Sequence, residues 1–229
     1  MTLTGELKRI LYGQGADLVG IGDMSEVENC HFKTGVSVAV SLPKHVIIDL
    51  QEAPTREYYD LYHLLNKKLN EIVMAGEEFL HKAGFDAYAQ TTDRIRTDPD
   101  KTTQLPHKTA ATKAGLGWIG KNCLLVTPQY GSAVRISSLL TNAPLECGEA
   151  IRQSRCGACS LCVTKCPAQA LKGTLWNTDI QRKEIVDIEK CRKKQREIMV
   201  EETGIETDLC GKCFAVCAYT KKYLKGDIS

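Results

Sequence analysis

Residues 156–167 read CGACSLCVTKCP, four cysteines at the spacing C-x2-C-x2-C-x3-C with a proline directly after them. Thiolates at such short steps wrap one stretch of backbone around an iron–sulfur cube, which takes four of them. In two-cluster ferredoxin arrangements the fourth cysteine of the run leaves for the other cluster. The proline, with no N–H and a fixed φ, redirects the chain there. Cys156, Cys159 and Cys162 are therefore expected on a first cluster and Cys166 on a second. A second run, CGKCFAVC at 210–217, has the spacing C-x2-C-x3-C, with Val216 where a full copy would carry cysteine. It supplies Cys210 and Cys213 to the second cluster and returns Cys217 to the first. Cys191, the single cysteine between the runs, completes the second set, so eight cysteines make two [4Fe–4S] clusters. Zinc on the C-x2-C pairs and a [3Fe–4S] centre at the second site are the competing readings. The proline-terminated run is more diagnostic of a cube than of zinc. Cys30, Cys123 and Cys147 read as small buried apolar residues.

A cluster pair moves electrons and leaves most of a 229-residue chain unexplained. The cysteine density changes near 142–155, which divides the chain into an α/β domain, 1–150, and a cysteine-rich module, 151–229. In the first part, apolar residues at 7, 10 and 11 mark a helix over 4–15, and ADLVGIGD (16–23) follows as a strand. GVSVAVSLP (35–43) reads as a buried strand. Tyr58, Leu61, Tyr62, Leu65, Leu69, Ile72, Val73 and Phe79 recur at helical steps over 57–82, with Gly84 as the stop. FDAYAQ (85–90), CLLVT (123–127) and AVRISSLL (133–140) are further strand candidates, and HKTAATKAG (107–115) is a short helix. No apolar run is long enough to span a bilayer, and MTLTGELKRI lacks the apolar core of a secretory signal, so a cytoplasmic chain is expected. Eleven cysteines there, an odd number, point to metal more than to disulfides. A net charge of +2 selects no nucleic-acid partner.

Upstream of the cysteines, KAGLGWIGKN places glycines at 115, 117 and 120 around Trp118, followed by Lys121 and Asn122. Glycines at these steps let backbone approach a large ligand. The G-x-G-x-x-G spacing precedes a strand candidate and opens no helix, which rejects a dinucleotide fingerprint. A glycine-rich turn packed by Trp118 is the bland alternative.

AGLGWIGKN, a Gly-Ser turn, TNAPLE, CGACSLCVTKCP, a lone cysteine and CGKCFAVC, in this order, resemble the epoxyqueuosine reductases, relatives of the cobalamin-dependent reductive dehalogenases. The resemblance runs from about residue 5 to 220 and is densest over 113–217. It implies an α/β (α+β) chain, with a nitroreductase-like cobalamin-binding domain followed by a ferredoxin-like module carrying two [4Fe–4S] clusters. It implies base-off cobalamin beside the first cluster, the second cluster near the surface, and electrons running from a donor such as ferredoxin or flavodoxin through both to cobalt. The family pattern also assigns the lone middle cysteine to the second cluster. Carried over by motif, Gly115, Gly117, Trp118, Ile119, Gly120, Lys121 and Asn122, with the Gly131-Ser132 turn, line the corrin pocket, and Arg135 is a weaker contact.

The chain also departs from that pattern. The family's aspartic general acid precedes the KAG by about a dozen residues; here Lys101 falls near its place, with Asp98 and Asp100 off register. Reduction of a C–O bond needs a proton donor, and His107 is the nearest titratable residue in sequence to the glycine-rich turn. Its bland reading is a residue that merely begins the 107–115 helix. The basic run KCRKKQRE (190–197) reads as a solvated helix face, so a tRNA partner is disfavoured. The resulting expectation is an epoxyqueuosine reductase-like oxidoreductase with an unknown substrate. The alternatives are a non-catalytic corrinoid-binding or ferredoxin-like electron carrier, a tRNA epoxyqueuosine reductase, and a first domain that binds flavin.

Overall fold

The computed structural model describes residues 2–28, 30–96, 103 and 105–226. Its elements run α1 (Leu3–Gly13), β1 (Leu18–Asp23), β2 (Thr34–Ser41), α2 (Lys44–Asp49), α3 (Arg56–Lys82), β3 (Ala87–Ala89), α4 (His107–Lys113), β4 (Trp118–Ile119), β5 (Leu125–Val126), β6 (Val134–Thr141), α5 (Leu161–Thr164), α6 (Arg182–Ile185), α7 (Ile188–Thr203), α8 (Lys212–Ala215) and α9 (Ala218–Lys225). They gather into two compact units, each built from separated stretches: 1–40, 64–117 and 135–151 in the first, 41–63, 118–134 and 152–229 in the second. Among the described residues no helix is long and apolar enough to cross a membrane.

The first unit is a four-stranded sheet with helices. Its strand order is β1-β2-β6-β3. The strands β1 and β2 are antiparallel with Leu18 opposite Ala39 and Asp23 opposite Thr34, and β3 pairs antiparallel with β6. Helix α1 starts at an N-cap, Thr2, whose side chain accepts from Gly5 N, a contact worth about 1 kcal/mol. The α3 stripe buries Leu65, Leu69, Ile72, Val73 and Leu80, with Leu7, Leu11 and Leu139 also buried in this unit. Phe79 is only half-buried and Leu80 takes the core position one residue on, a shift of about 100° around the helix. Helix α4 lies against β1 so closely that a Cβ at Gly22 would overlap the Lys113 backbone.

The second unit draws in two stretches from before residue 150. The segment 41–63 enters because α2 and the turn after it meet the second cysteine run: Lys212 Nζ donates to Gln51 O, and the Tyr58 and Phe214 rings meet edge-on at 6.0 Å. Sequence reading missed α2; Val46 and Ile47 are buried, but six residues are too few to show a period. The segment 118–134 enters as a hairpin in which β4 pairs with β5, Trp118 opposite Val126. The expected strand 123–127 shrinks to Leu125–Val126. Cys123, at φ 60, closes a turn by donating its N–H to Gly120 O at 2.8 Å, and left-handed backbone is incompatible with a strand. Helix α7 is held at both ends: the Asp187 side chain accepts from Lys190 N, and Gly204 ends it in the left-handed conformation.

Candidate functional site

All eleven cysteines are free thiols. The first run folds as a turn and a short helix, with Cys159 N donating to Cys156 O and Cys166 N to Val163 O. Cys156, Cys159, Cys162 and Cys217 border one cavity, together with Lys121, Asn122 and Tyr219. Burial first, and then the neighbouring Cys217, Cys156 and Cys159, push the Cys162 thiol up to about 11. The remaining four meet elsewhere in the unit. Burial pushes Cys191 up to about 11, with Cys166 and Cys210 adding to it. Cys213 rises well above the ordinary thiol value through burial and then Cys210 and Cys191. Cys210 is raised by burial, opposed by the Lys212 N–H. Among the described residues, no three His, Cys, Asp or Glu side chains converge to hold a single metal ion. The first four thiols instead border a cavity, the arrangement a cube held at its corners requires. Eight thiols, most of them half-buried, fit two such clusters.

The glycine-rich hairpin builds the wall of the first set. Lys121, 9% exposed, donates from Nζ to Gly157 O at 2.8 Å and Cys159 O at 3.0 Å. It ties the first cysteine loop down and sets a positive charge beside four thiols. Asn122 Nδ2 donates to Ser132 Oγ at 2.9 Å, and its Oδ1 accepts from Leu124 N. Ser132 N donates to Thr220 Oγ1 at 3.1 Å. Gly131, at φ 58, lies where a Cβ would overlap Thr220 N. Trp118 is 1% exposed, with Tyr219 edge-on at 4.8 Å and the Arg155 guanidinium 5.7 Å from its ring. Its Nε1–H has no acceptor. The hairpin therefore shares one unit with the cysteines, and Lys121, Asn122 and Ser132 spend their polar side chains on holding it there. For a corrin they offer backbone and shape, and Trp118 offers the one orphaned donor among them. That donor is the feature by which the residues present fit such a group.

Gly115, Gly117, Arg135 and His107 belong to the first unit. Arg135 donates twice to Asn66 Oδ1. His107 Nδ1 lies 2.8 Å from Ser138 Oγ, which also accepts from Gln90 Nε2 at 2.7 Å. Ser138 thus links the Gln90 amide to the His107 ring. Burial, and then the charge of Arg135, hold His107 down to about 4. Near neutral pH it is an imidazole that can donate a hydrogen bond and holds no acidic proton to give. Sequence reading missed Ser138 and Gln90; the available signal was a polar Ser-Ser pair inside the run AVRISSLL. Asp98, Asp100 and Lys101 lie outside the described residues. Along the basic run, Arg192 and Arg196 both pair with Asp208, Lys190 with Asp187 and Lys194 with Glu197.

This combination of sheet unit and double thiol unit is one that known proteins share. Residues 155–220 match the 4Fe-4S double cluster binding domain family. The whole fold matches a catabolic reductive dehalogenase, with a TM-score of 0.70 at 19% identity over 93% of this chain and 31% of that one. It also matches an epoxyqueuosine reductase solved with an epoxyqueuosine-modified tRNA-Tyr stem loop, with a TM-score of 0.60 at 21% identity over 96% of this chain and 65% of that one. In sequence, the chain is 30% identical over 208 residues to the epoxyqueuosine reductase of Lactococcus garvieae, covering 82% of this chain and 52% of the relative. It is 40% identical over 112 residues to that of Bacillus subtilis, covering 49% and 26%. The chain thus resembles the epoxyqueuosine reductases in sequence and shares a fold with them and with the reductive dehalogenases, while spanning about half or less of these curated relatives.

Proposed function

We propose that this chain is the electron-delivering core of a cytoplasmic reductase of the epoxyqueuosine reductase type. Cys156, Cys159, Cys162 and Cys217 hold one [4Fe–4S] cluster, and Cys166, Cys191, Cys210 and Cys213 hold the other. Residues 1–150 supply a nitroreductase-like setting for a base-off corrinoid, with the 118–122 and 131–132 segments contributing to its pocket. When bound, the clusters pass single electrons from a ferredoxin- or flavodoxin-like donor, and the corrinoid brings them to an organic substrate. The observation that carries this reading is the convergence of Cys156, Cys159, Cys162 and Cys217 on one cavity that Lys121 and Asn122 also line, with Cys166 and Cys210 acting on Cys191.

The chain's own residues do three things in this reading. Thiols whose deprotonation burial disfavours release their protons as they bind a metal, so the cysteine sets are completed by iron. Lys121 offsets the negative charge gathered at the first set. Trp118 Nε1–H offers a buried donor to an acceptor the protein does not supply. A modified nucleoside in tRNA is the substrate this reading adopts, against the weight the basic run alone suggested, because the curated relatives bear that activity in their names.

One observation favours a second reading, a corrinoid-holding electron carrier: His107 is neutral and supplies no acid. Anaerobic reconstitution separates them. Iron and sulfide are counted, cobalamin is titrated by visible absorbance, and an epoxyqueuosine-containing stem loop is offered under reduction. About eight irons, a base-off cobalt spectrum and product formation are expected. Eight irons and cobalamin uptake without product establish the carrier, and eight irons with no cobalamin uptake overturn the corrinoid part.

A further inference from the structure

The cysteine-bearing unit carries two basic helices, and they hold their charge differently. Along α7, Lys190, Arg192, Lys194 and Arg196 each pair with a carboxylate. Along α9, AYTKKYLK has three lysines and no acidic residue. Lys221, Lys222 and Lys225 are all exposed, and among the described residues no carboxylate pairs with them. At about 100° per residue the three lie within about 100° of arc, so they share one face. Lys44 joins them at the end of the helix, where its Nζ donates to Leu224 O at 3.2 Å and lies 5.2 Å from the Tyr223 ring. Like charges gathered on one face repel, and an anionic partner relieves that repulsion.

Position narrows the partner. Helix α9 begins directly after Cys217, and its first residues, Ala218 and Tyr219, line the cavity of the first thiol set. Lys222 Nζ lies 5.3 Å from the Tyr219 ring, so the lysine face reaches the edge of that cavity. The exposed Arg155 precedes Cys156 at the same cavity, and Tyr219 OH donates to its carbonyl oxygen at 3.4 Å. In the proposed reading the substrate is reduced beside the first set, and electrons enter from a donor through the second. An acidic donor protein would therefore seek the second set. The partner that belongs at α9 is the substrate, and the anionic part of a tRNA is its phosphate backbone. Lysines interleaved with Tyr219 and Tyr223 are a surface that suits such a backbone.

We infer that the lysine face of α9, extended by Lys44, binds the phosphate backbone of an RNA stem loop beside the first thiol set. The inference deepens the tRNA reading proposed above and rests on it. Binding is electrostatic: each lysine that meets a phosphate releases counterions, so affinity falls as salt rises. The basic run of α7, largely paired within the fold, takes no part.

The test is a titration of the anaerobically reconstituted full chain with a fluorescently labelled, unmodified tRNA-Tyr stem loop, read by anisotropy over a series of salt concentrations. Wild type is compared with the triple variant Lys221→Gln, Lys222→Gln, Lys225→Gln. A second triple variant, Lys190→Gln, Lys193→Gln, Lys194→Gln, removes the same charge from α7. Each lysine on a phosphate contributes about 0.7 to the slope of log affinity against log salt. The α9 variant is expected to lose about tenfold in affinity at low salt and about 2 from that slope, with its iron content unchanged. The α7 variant is expected to bind as wild type does. Wild-type binding by the α9 variant, or equal losses in the two variants, overturns this inference and leaves the tRNA reading standing. An α9 variant that binds RNA normally but takes electrons more slowly from reduced flavodoxin also overturns it, and gives the face to an acidic donor. Failure of wild type to bind the stem loop overturns the tRNA reading as well. If the α9 variant loses iron, Lys221→Gln with Lys225→Gln, which leaves the Lys222–Tyr219 contact in place, is read instead, with a slope change of about 1.4.

Discussion

The first thiol set and the His107 network are both arrays of reactive groups, and burial of Cys162 and of His107 acts in the same sense. It disfavours charge, holding the Cys162 thiol at about 11 and the His107 imidazole at about 4. The outcomes differ because of what each array contains. At His107 the partners lie within the fold: Gln90 donates to Ser138, Ser138 is hydrogen-bonded to the His107 ring, and burial and Arg135 favour a neutral ring. At the thiols, the described residues lining the cavity include one cation, Lys121, beside four cysteines. One region is closed on itself, whereas the other is finished only by a cationic group. Chemistry is therefore expected at the thiols, and architecture at the imidazole.

The largest effect expected from a single change lies in the scaffold of the thiol set. Gly131→Ala adds a Cβ that overlaps Thr220 N, at a backbone φ of 58. Overpacking and left-handed strain together come to about 3 kcal/mol, and α9, which begins directly after Cys217, must shift. Loss of thermal stability and of first-cluster iron is expected together. Calorimetry on reconstituted protein that showed wild-type stability would remove Gly131 from the scaffold. An alanine at Gly84, where no atom lies within 4 Å, controls for backbone strain without overpacking.

Next in size is Lys121→Met. It keeps much of the apolar stem and removes the ammonium, leaving Gly157 O and Cys159 O without their donor. Two part-buried carbonyls that lose a charged donor predict a loss of about 1 kcal/mol. Removing a positive charge from beside the first cluster also makes adding an electron harder. A lower midpoint potential for that cluster is expected in EPR-monitored titration, with the second cluster's potential unchanged. Equal shifts at both would mean that Lys121 acts through the general fold.

How much of this was readable beforehand follows from the range over which each feature is determined. The cysteine runs were legible because ligand spacing is local, and the counting that picked Cys191 needed no tertiary contact. The α3 stripe was legible for the same reason, apart from the exchange of Phe79 for Leu80. What escaped was set by partners far away in sequence. Ser138 meets Gln90 across 48 positions and His107 across 31. The hairpin's attachment to the cysteine unit runs through Ser132 and Thr220, 88 positions apart. No local pattern announces such pairs. The short β5 escaped because one residue, Cys123, left strand geometry in a run whose composition reads as strand.

The smallest predicted effect tests the closed region. His107 has a folded value of about 4 against an ordinary 6.5, so the unfolded chain binds the proton more readily. Stability from this residue is full above the unfolded value and is lost as pH falls through the window between the two. Between about pH 7.5 and about pH 5.5 the loss is about 1 kcal/mol. Urea unfolding of His107→Asn should lack this part of the acid sensitivity, so the wild-type-minus-variant difference is the quantity to read. Ser138→Ala should retain the sensitivity, because burial and Arg135, the causes of the shift, remain. If the variant and wild type lose stability in parallel over that range, His107 titrates alike in the folded and unfolded chains. The contrast between a self-contained imidazole and an open thiol set would then fall, and His107 would return as a proton donor.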